Sequence, residues 1–278
     1  MPVKPVESLK KGLELLEVLA AHAPSLKLQE ITRLSGLPRA TVYRLLQTLV
    51  AQGYVHYFPS TATFRLGPKV MSLGFSALSG FDLAEVAEPY LRELSQRIEQ
   101  NVNLGILDGG DVVYIIRVKA RRILGIDLAV GSRLSAHNSA IGRALLAYLD
   151  PGALEKVIGA MSQDPAAAAS IGPQGRLLKQ KLAQVRRLGY ALSEDEFETG
   201  LCSVAVPVMG PGGQVEAAVN LPVFSQLCTR RELLEQYLPE LVKTAGVISE
   251  LRGRRPLSEN QSQARAADRT RRTTRSQS

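Results

Sequence analysis

Residues 28–55, LQEITRLSGLPRATVYRLLQTLVAQGYV, decide the fold of the N-terminal part of the chain. Apolar residues recur at helical spacing in its first seven positions and again over residues 38–52, which predicts two helices. Between them, Gly36 suits a left-handed turn after a helix, and Pro38 suits the first position of the next helix. Two helices joined in this way, the second with a polar and cationic outer face, are typical of a helix-turn-helix.

The flanking residues extend this motif. Upstream, residues 6–21 have the apolar spacing of an amphipathic helix. Downstream, residues 54–58 alternate like a strand, 59–63 are turn-like and 64–66 return, which predicts a hairpin that serves as a wing. The sequence therefore predicts a winged helix-turn-helix over residues 1–75, with a small helical bundle as the alternative. The predicted buried stripe of the first helix comprises Leu9, Leu13, Leu16 and Leu19.

The outer face of the helix over residues 38–52 is the predicted DNA-reading surface. In this motif the second helix enters the major groove, where side chains reach base edges and phosphates, while the wing rests on the backbone. Tyr57 and Phe64 are expected to pack the hairpin. The predicted DNA-binding residues are Arg39, Thr41, Tyr43, Arg44, Gln47 and Arg65.

Composition and charge bound the class of protein. A chain of 278 residues with 45% hydrophobic residues is expected to form two globular domains. The absence of a long apolar run excludes a membrane span, and the N-terminus lacks a signal core, so a cytoplasmic protein is expected. Two cysteines, Cys202 and Cys228, are too few for a disulfide framework or a cysteine-built zinc site, and no metal or cofactor is predicted.

The net charge is unevenly distributed. Residues 1–75 carry nine basic and four acidic residues, a net charge of +5, whereas residues 76–251 carry seventeen and twenty, a net charge of −3. Residues 252–278 carry eight and two, a net charge of +6. A polyanionic partner is therefore expected at the two ends of the chain.

Three strings identify a family resemblance in the first part. KGLELLEVLA (11–20), the stretch 28–55 and FRLGPKVMSLG (64–74) resemble the N-terminal domain of the isocitrate-lyase-regulator (IclR) family of bacterial transcription factors. Ala40 stands where that family usually has serine, and Tyr43 where histidine is frequent, so the operator sequence is not implied. The resemblance implies that helical residues 76–100, with interruptions expected at Gly80 and Pro89, form a linker helix that contributes to dimerisation.

The remainder of the chain predicts an α+β domain over residues 101–252 and a disordered basic tail over 253–278. Residues 150–180 are expected to be loosely structured. Predicted strands lie at 102–107, 112–118, 123–130, 202–209 and 215–222, and predicted helices at 138–148, 177–187 and 230–252, the last kinked at Pro239.

The same family resemblance continues in this half. GSRLSAHNSAIGRALLA (131–147) and VRRLGYALSEDEFETGLCSVAVPV (185–208) resemble the family's GAF-like effector-binding domain. Within the family, they look most like the branch that regulates protocatechuate and 4-hydroxybenzoate breakdown through the β-ketoadipate pathway. Ser193 replaces an acidic residue seen in some members, and Ser203 stands where some have cysteine. A pocket without that acidic group is expected to accept an aromatic acid.

An anionic effector is also expected from the residues themselves. The helix that begins near Ser139 presents free backbone N–H groups to a carboxylate, and Arg121 with Arg122 adds cationic donors. Apolar walls and hydroxyl or amide groups complete the predicted pocket, and the resemblance implies most of the same positions. The predicted effector-binding residues are Arg122, Ile123, Ile126, His137, Ser139, Ala140, Ile141, Ser193, Leu201, Ser203 and Asn220.

The sequence thus predicts a ligand-responsive regulator that binds operator DNA as a homodimer or a dimer of dimers. One alternative is a regulator of the same type that senses a small non-aromatic carboxylate. A hydrolase using His137 and Ser139 lacks the Gly-x-Ser-x-Gly nucleophile elbow, and the acidic run 194–198 is expected to be solvated loop charge. A purely architectural DNA binder has no need of a second domain with a pocket.

Overall fold

The computed structural model describes residues 5–22, 24–79, 82–120 and 128–254, which form two compact units divided between residues 81 and 82. Arg121, Arg122, Ile123, Ile126 and the tail from residue 255 lie outside the described residues. The first unit contains α1 (Glu7–Ala21), β1 (Leu26–Lys27), α2 (Leu28–Ser35), α3 (Arg39–Ala51), β2 (Val55–Phe58), β3 (Thr63–Leu66) and α4 (Pro68–Ser79).

Local sequence explains the helix-turn-helix. The carboxylate of Glu30 accepts a hydrogen bond from the backbone N–H of Lys27 at the start of α2, and Gly36 ends α2 with a φ of 66°. Pro38 precedes α3, whose inner residues Val42 and Leu46 are fully buried. The predicted helices and hairpin are confirmed. The sequence did not reveal β1, which adds a third strand beside β3.

The predicted buried stripe of α1 is confirmed for Leu19 and in part for Leu16, but it is wrong for Leu9 and Leu13. Leu15 and Leu19 are the leucines of α1 that are buried in the core, whereas Leu9 and Leu13 are 62% and 51% exposed. Because α1 carries leucines on more than one side, its apolar spacing fits two stripes. Packing against Ile31 and the inner face of α3 selects the stripe that contains Leu15.

The second unit is built on a six-stranded antiparallel sheet in the order β6-β5-β4-β9-β8-β7. Its strands are β4 (Val102–Asp108), β5 (Asp111–Val118), β6 (Arg133–Ser135), β7 (Ala191–Glu194), β8 (Leu201–Met209) and β9 (Val215–Phe224). Its helices are α5 (Asp82–Ile98), α6 (Ala140–Leu146), α7 (Pro151–Met161), α8 (Pro165–Ile171), α9 (Arg176–Leu188), α10 (Arg230–Glu232) and α11 (Leu238–Arg254).

Helices cover both faces of this sheet. The short helix α6 packs on β4, β8 and β9, and α5 with α11 packs on the same strands and on each other. Residues of both parities are buried along β8, as expected for a strand covered on both faces. The predicted α+β class is confirmed, and none of the helices in the described residues combines the length and apolar character needed to cross a bilayer.

Three local expectations for this unit need correction. Residues 150–180 contain the regular helices α7 and α8, each beginning with an aspartate cap followed by proline. The described residues 128–130 are not strand, and the third strand is β6. Pro89 lies inside a continuous α5. The sequence did not reveal two further features: a π-helical turn, Leu233–Tyr237, that precedes Pro239 in the C-terminal helix, and the strand β7.

Candidate functional site

The outer face of α3 is exposed and cationic. Arg39, Tyr43, Arg44 and Gln47 are exposed, and Thr41 is half-buried on the same helix. The opposite face packs into the core of the first unit. The geometry therefore leaves all five predicted α3 side chains on the side that is free of the core, as a recognition helix requires.

The wing, β2 with β3, carries the sixth predicted residue. Arg65 is exposed, and its guanidinium lies 4.9 Å from the centroid of the Phe58 ring, which holds the cation on the hairpin surface. Tyr57 and Phe64 stack with ring centroids 4.8 Å apart, and Phe64 is buried. These two rings pack the hairpin, as expected.

The second unit contains a cavity between α6 and the sheet. The space between its atoms, counted together with open solvent at its mouth, is about 630 Å³. Its predicted lining residues are Ser139, Ala140, Ile141, Ser193, Leu201, Ser203 and Asn220. The remaining lining residues are Asn101, Asn103, Tyr114, Arg117, Leu128, Leu134, Phe197, Pro222 and Phe224.

The structure thus brings seven of the eleven predicted effector residues to one cavity. His137 is half-buried but is not among the residues that line it, and the remaining three, Arg122, Ile123 and Ile126, lie outside the described residues. Burial lowers the pKa of the His137 imidazole below 6.5, against the opposing charge of Asp164. The imidazole is therefore predominantly neutral near pH 7.

A line of polar side chains crosses one face of the sheet. Arg117 on β5 is opposite Asn103 on β4, and Asn103 is opposite Asn220 on β9. Ser203 on β8 is opposite Ser193 on β7. All five residues line the cavity, so its polar surface is assembled from five different strands.

Hydrogen bonds connect four of these side chains. Arg117 Nε donates to Asn103 Oδ1 at 3.1 Å, and Asn103 Nδ2 donates to Asn220 Oδ1 at 3.1 Å. Asn220 Nδ2 donates to Ser203 Oγ at 3.0 Å. Asn103, Asn220 and Ser203 are buried, and such groups are stable in a protein interior when they are hydrogen-bonded to one another.

The sequence did not reveal Arg117. A register shift in the β4–β5 pairing places Gly105 opposite Tyr114 but Leu104 opposite Ile116, so Ile115 is an extra residue in β5. Because of this bulge, Tyr114 and Arg117 both line the cavity, although simple alternation places residues three apart on opposite faces. A single arginine within the apolar run 112–118 was the available signal.

Aromatic rings form much of the remaining wall. Phe197 comes from the β7–β8 connection, Phe224 from the end of β9, and Tyr114 from β5. Burial raises the pKa of the Tyr114 phenol above 10.0, with the hydrogen bond from Asn220 and the charge of Arg117 opposing that effect. Tyr114 therefore keeps its proton and remains a hydrogen-bond donor.

The hydroxyl group of Ser139 hydrogen-bonds to main-chain groups. Its Oγ donates to the carbonyl of Ser135 at 3.1 Å and accepts from the N–H of Gly142 at 3.2 Å, as the N-cap of α6. Both roles of the hydroxyl are occupied by main-chain groups, which is the environment of a structural cap rather than of an activated nucleophile.

The acidic run 194–198 is not merely solvated charge, as the sequence led us to expect. Glu196 forms a two-point ion pair with Arg143, with Nη1–Oε2 and Nη2–Oε1 distances of 2.8 and 2.9 Å, and also pairs with Lys181. The Arg143 side chain is 2% exposed, and it also donates to the carbonyl of Leu192. This cluster attaches the connection that carries Phe197 to α6.

Known proteins share both halves of this architecture. The IclR helix-turn-helix domain matches residues 8–59, and the C-terminal domain of the bacterial transcriptional regulator IclR matches residues 75–250. The Pca regulon regulatory protein of Pseudomonas putida is 34% identical over 236 residues, covering 84% of this chain and 80% of that protein. The acetate operon repressor of Salmonella typhimurium is 31% identical over 218 residues, covering 78% and 79%.

Solved structures agree with these relatives. An IclR homologue from Microbacterium hydrocarbonoxydans, complexed with 4-hydroxybenzoate, matches with a TM-score of 0.70 and 25% identity, covering 87% of this chain and 98% of that one. The chain therefore belongs to the IclR family of bacterial transcriptional regulators.

Proposed function

We propose that this protein controls genes of aromatic-acid catabolism, in the β-ketoadipate pathway, by binding an aromatic acid or pathway intermediate in the cavity of its second unit. The observation that carries the proposal is the composition of that cavity. Phe197, Phe224 and Leu201 supply apolar walls, and one face of the sheet supplies a line of hydrogen-bonding groups. A flat aromatic ring can pack against the apolar walls while its polar substituent hydrogen-bonds to the groups on the sheet.

The charged side chains of the cavity favour an acidic ligand. Arg117 is the one cationic side chain among the described residues that line the cavity, and the lining contains no aspartate or glutamate in that part of the chain. Ser193, Ser203 and Asn220 add hydroxyl and amide groups. Similarity to the Pca regulon regulatory protein and to the homologue that holds 4-hydroxybenzoate supports the same ligand class.

Calorimetric titration of the full-length chain tests the ligand. We expect saturable binding of protocatechuate, 4-hydroxybenzoate or the pathway intermediate β-ketoadipate, and weaker or no binding of glyoxylate. Ser203→Leu places a larger apolar side chain in the cavity and should abolish binding, whereas Ser170→Leu, at an exposed position of α8, should leave it unchanged. Failure of the aromatic acids and of β-ketoadipate to bind would refute the proposed ligand class.

A second candidate is a small non-aromatic carboxylate, supported by the similarity to the acetate operon repressor. The hydrogen-bonding groups and Arg117 suit any carboxylate, so the apolar walls distinguish the two candidates. Tight binding of glyoxylate, with none of the aromatic acids, would favour this alternative.

In the proposed regulator, residues 1–75 read the operator, 76–100 link the two domains, 101–252 bind the effector, and the chain acts in the cytoplasm. A homodimer or dimer of dimers would place two α3 helices in major grooves about 34 Å apart. The ligand must bind two arrangements of the dimer with affinities that differ by about 1–3 kcal/mol to act as an effector. Because Ser139 is occupied as a helix cap, the proposal includes no hydrolase activity.

A further inference from the structure

The hydrogen-bond chain in the cavity has a direction, and Arg117 sets it. A guanidinium can donate hydrogen bonds but cannot accept them. Asn103 must therefore turn its Oδ1 toward Arg117, which leaves its NH₂ group to donate to Asn220. Asn220 in turn must present its Oδ1 to Asn103 and its NH₂ group to Ser203. The orientation of both amides thus follows from one donor-only group.

The direction of the hydrogen bonds determines whether Ser203, at the end of the chain opposite Arg117, donates or accepts a hydrogen bond in the cavity. Ser203 Oγ accepts a hydrogen bond from Asn220, so the hydroxyl proton of Ser203 is directed to another acceptor. Tyr114 lies near the same groups, with its ring centroid 5.5 Å from the Arg117 guanidinium, and burial raises the pKa of its phenol, which keeps its proton. The chain therefore leaves Ser203 as an O–H donor that lines the cavity, and the protonated Tyr114 phenol lines the cavity as well.

Distance argues that Arg117 acts through this chain. Three strand spacings separate β5 from β8, about 14 Å at a spacing near 4.8 Å. The hydrogen bonds of Asn103 and Asn220 span the strands between Arg117 and Ser203. A cation at one end of a hydrogen-bond chain polarises the bonds along it and strengthens the terminal donor.

We propose that Arg117 is a positioning residue that makes the cavity select a hydrogen-bond acceptor: acting through Asn103 and Asn220, it holds Ser203 as a donor, and the carboxylate of the ligand lies at Ser203. This rests on the proposed aromatic-acid function. On this proposal, Arg117 is the reason that the cavity binds a carboxylate more tightly than a carboxamide, the uncharged isostere that both donates and accepts hydrogen bonds.

A double-mutant cycle tests this assignment in the full-length chain. The quantity measured by calorimetry is the ratio of dissociation constants for 4-hydroxybenzamide and 4-hydroxybenzoate. We expect Arg117→Met and Ser203→Ala each to lower the preference of the wild type for the acid by about tenfold, and the double variant to lower it no further. Arg117→Lys, which keeps a donor-only cation, should retain most of the preference.

Lys119→Met is the matched control, because it removes a positive charge from an exposed position two residues along the chain. It should leave the ratio unchanged. Additive losses in the double variant would mean that Arg117 contacts the ligand directly, and equal weakening of both ligands would mean a merely structural role. Either result would overturn the proposed role of Arg117 and leave the proposed ligand class intact. A wild-type protein that binds neither ligand would overturn both the proposed aromatic ligand class and the role of Arg117.

Discussion

At the scale of single residues, the surroundings of a charge decide its role. Arg143 and Arg117 both belong to the second unit, yet Arg143 is 2% exposed and bound to a carboxylate and to main-chain carbonyls, whereas Arg117 donates to an amide at the cavity wall. A guanidinium whose donors are satisfied by a carboxylate stabilises the fold. One that orients neutral amides can instead tune a binding site.

Glu196→Gln should lower the free energy of unfolding by about 2 kcal/mol at pH 7. It leaves the buried Arg143 cation without its carboxylate, but the Glu196 side chain is 30% exposed, so the cost is below that of a fully buried pair. Urea denaturation followed by circular dichroism measures the difference. Glu198→Gln, an exposed glutamate two residues away, is the control and should change stability little.

The same pair predicts a pH dependence. Partial burial favours the neutral acid, but the hydrogen bond from Lys181 and the nearby Arg143 outweigh it, and the pKa of the Glu196 carboxyl is lowered from 4.5. A lowered folded-state pKa contributes stability above pH 4.5 that is lost as the pH falls through the folded value. The stability difference between wild type and Glu196→Gln should therefore shrink below pH 4.5. A constant difference down to pH 3 would contradict the assignment.

At the scale of secondary structure elements, α6 sits unusually close to the segment before it. A Cβ on Gly142 would lie 2.2 Å from the Cα and carbonyl oxygen of Ala136, which are backbone atoms that cannot turn aside. Gly142→Ala should therefore destabilise the protein by about 3 kcal/mol, through displacement of α6 from the preceding turn. The shift should also weaken ligand binding, because Ala140 and Ile141 line the cavity.

The matched control is Gly159→Ala in α7, where a Cβ would meet no atom within 4 Å. That substitution should stabilise the helix by about 0.5–1 kcal/mol, because alanine has the higher helix propensity. Thermal unfolding of the two variants should shift in opposite directions. Equal shifts would show that α6 can relax around the added methyl group.

Helix α3 carries the prediction for DNA. Arg44→Ala should weaken operator binding by about 1–3 kcal/mol while leaving effector binding intact, because Arg44 is exposed on the outer face and remote from the core of its unit. Fluorescence anisotropy with operator DNA measures the loss. Lys10→Ala removes a positive charge from α1 and should have the smaller effect, whereas simultaneous loss of DNA and effector binding by Arg44→Ala would indicate misfolding.

At the scale of the whole molecule, charge is concentrated in the first 75 and last 27 residues, with net charges of +5 and +6 against −3 between them. Deletion of residues 255–278 should lower affinity by a similar factor for operator and unrelated DNA, because arginines attract phosphates without reading sequence. The slope of log affinity against log salt should become shallower. An unchanged slope would show that the tail does not contact DNA.

Much of the fold followed from short-range patterns. Gly36 and Pro38 delimit the turn between α2 and α3, and the hairpin after α3 alternates as a strand pair should, because these signals depend on neighbouring residues. The side of α1 that is buried did not follow. The leucines of α1 satisfy helical spacing in more than one way, and only packing against Ile31 and Leu46 decides that Leu15 joins Leu19 in the core while Leu9 and Leu13 stay exposed.

Some features of the candidate site also follow from the sequence, and others do not. The sequence by itself determined the helix-turn-helix, the cationic face of α3 and seven of the residues that line the cavity, because local spacing and family resemblance specify them. Only the tertiary structure decided that Arg117 joins the cavity and that Glu196 pairs with Arg143. Arg117 reaches the cavity because of a β-bulge in the pairing of β4 with β5. Glu196 pairs with Arg143 because folding brings together two residues that are 53 positions apart in the sequence. Neither contact can be deduced from neighbouring residues in the sequence.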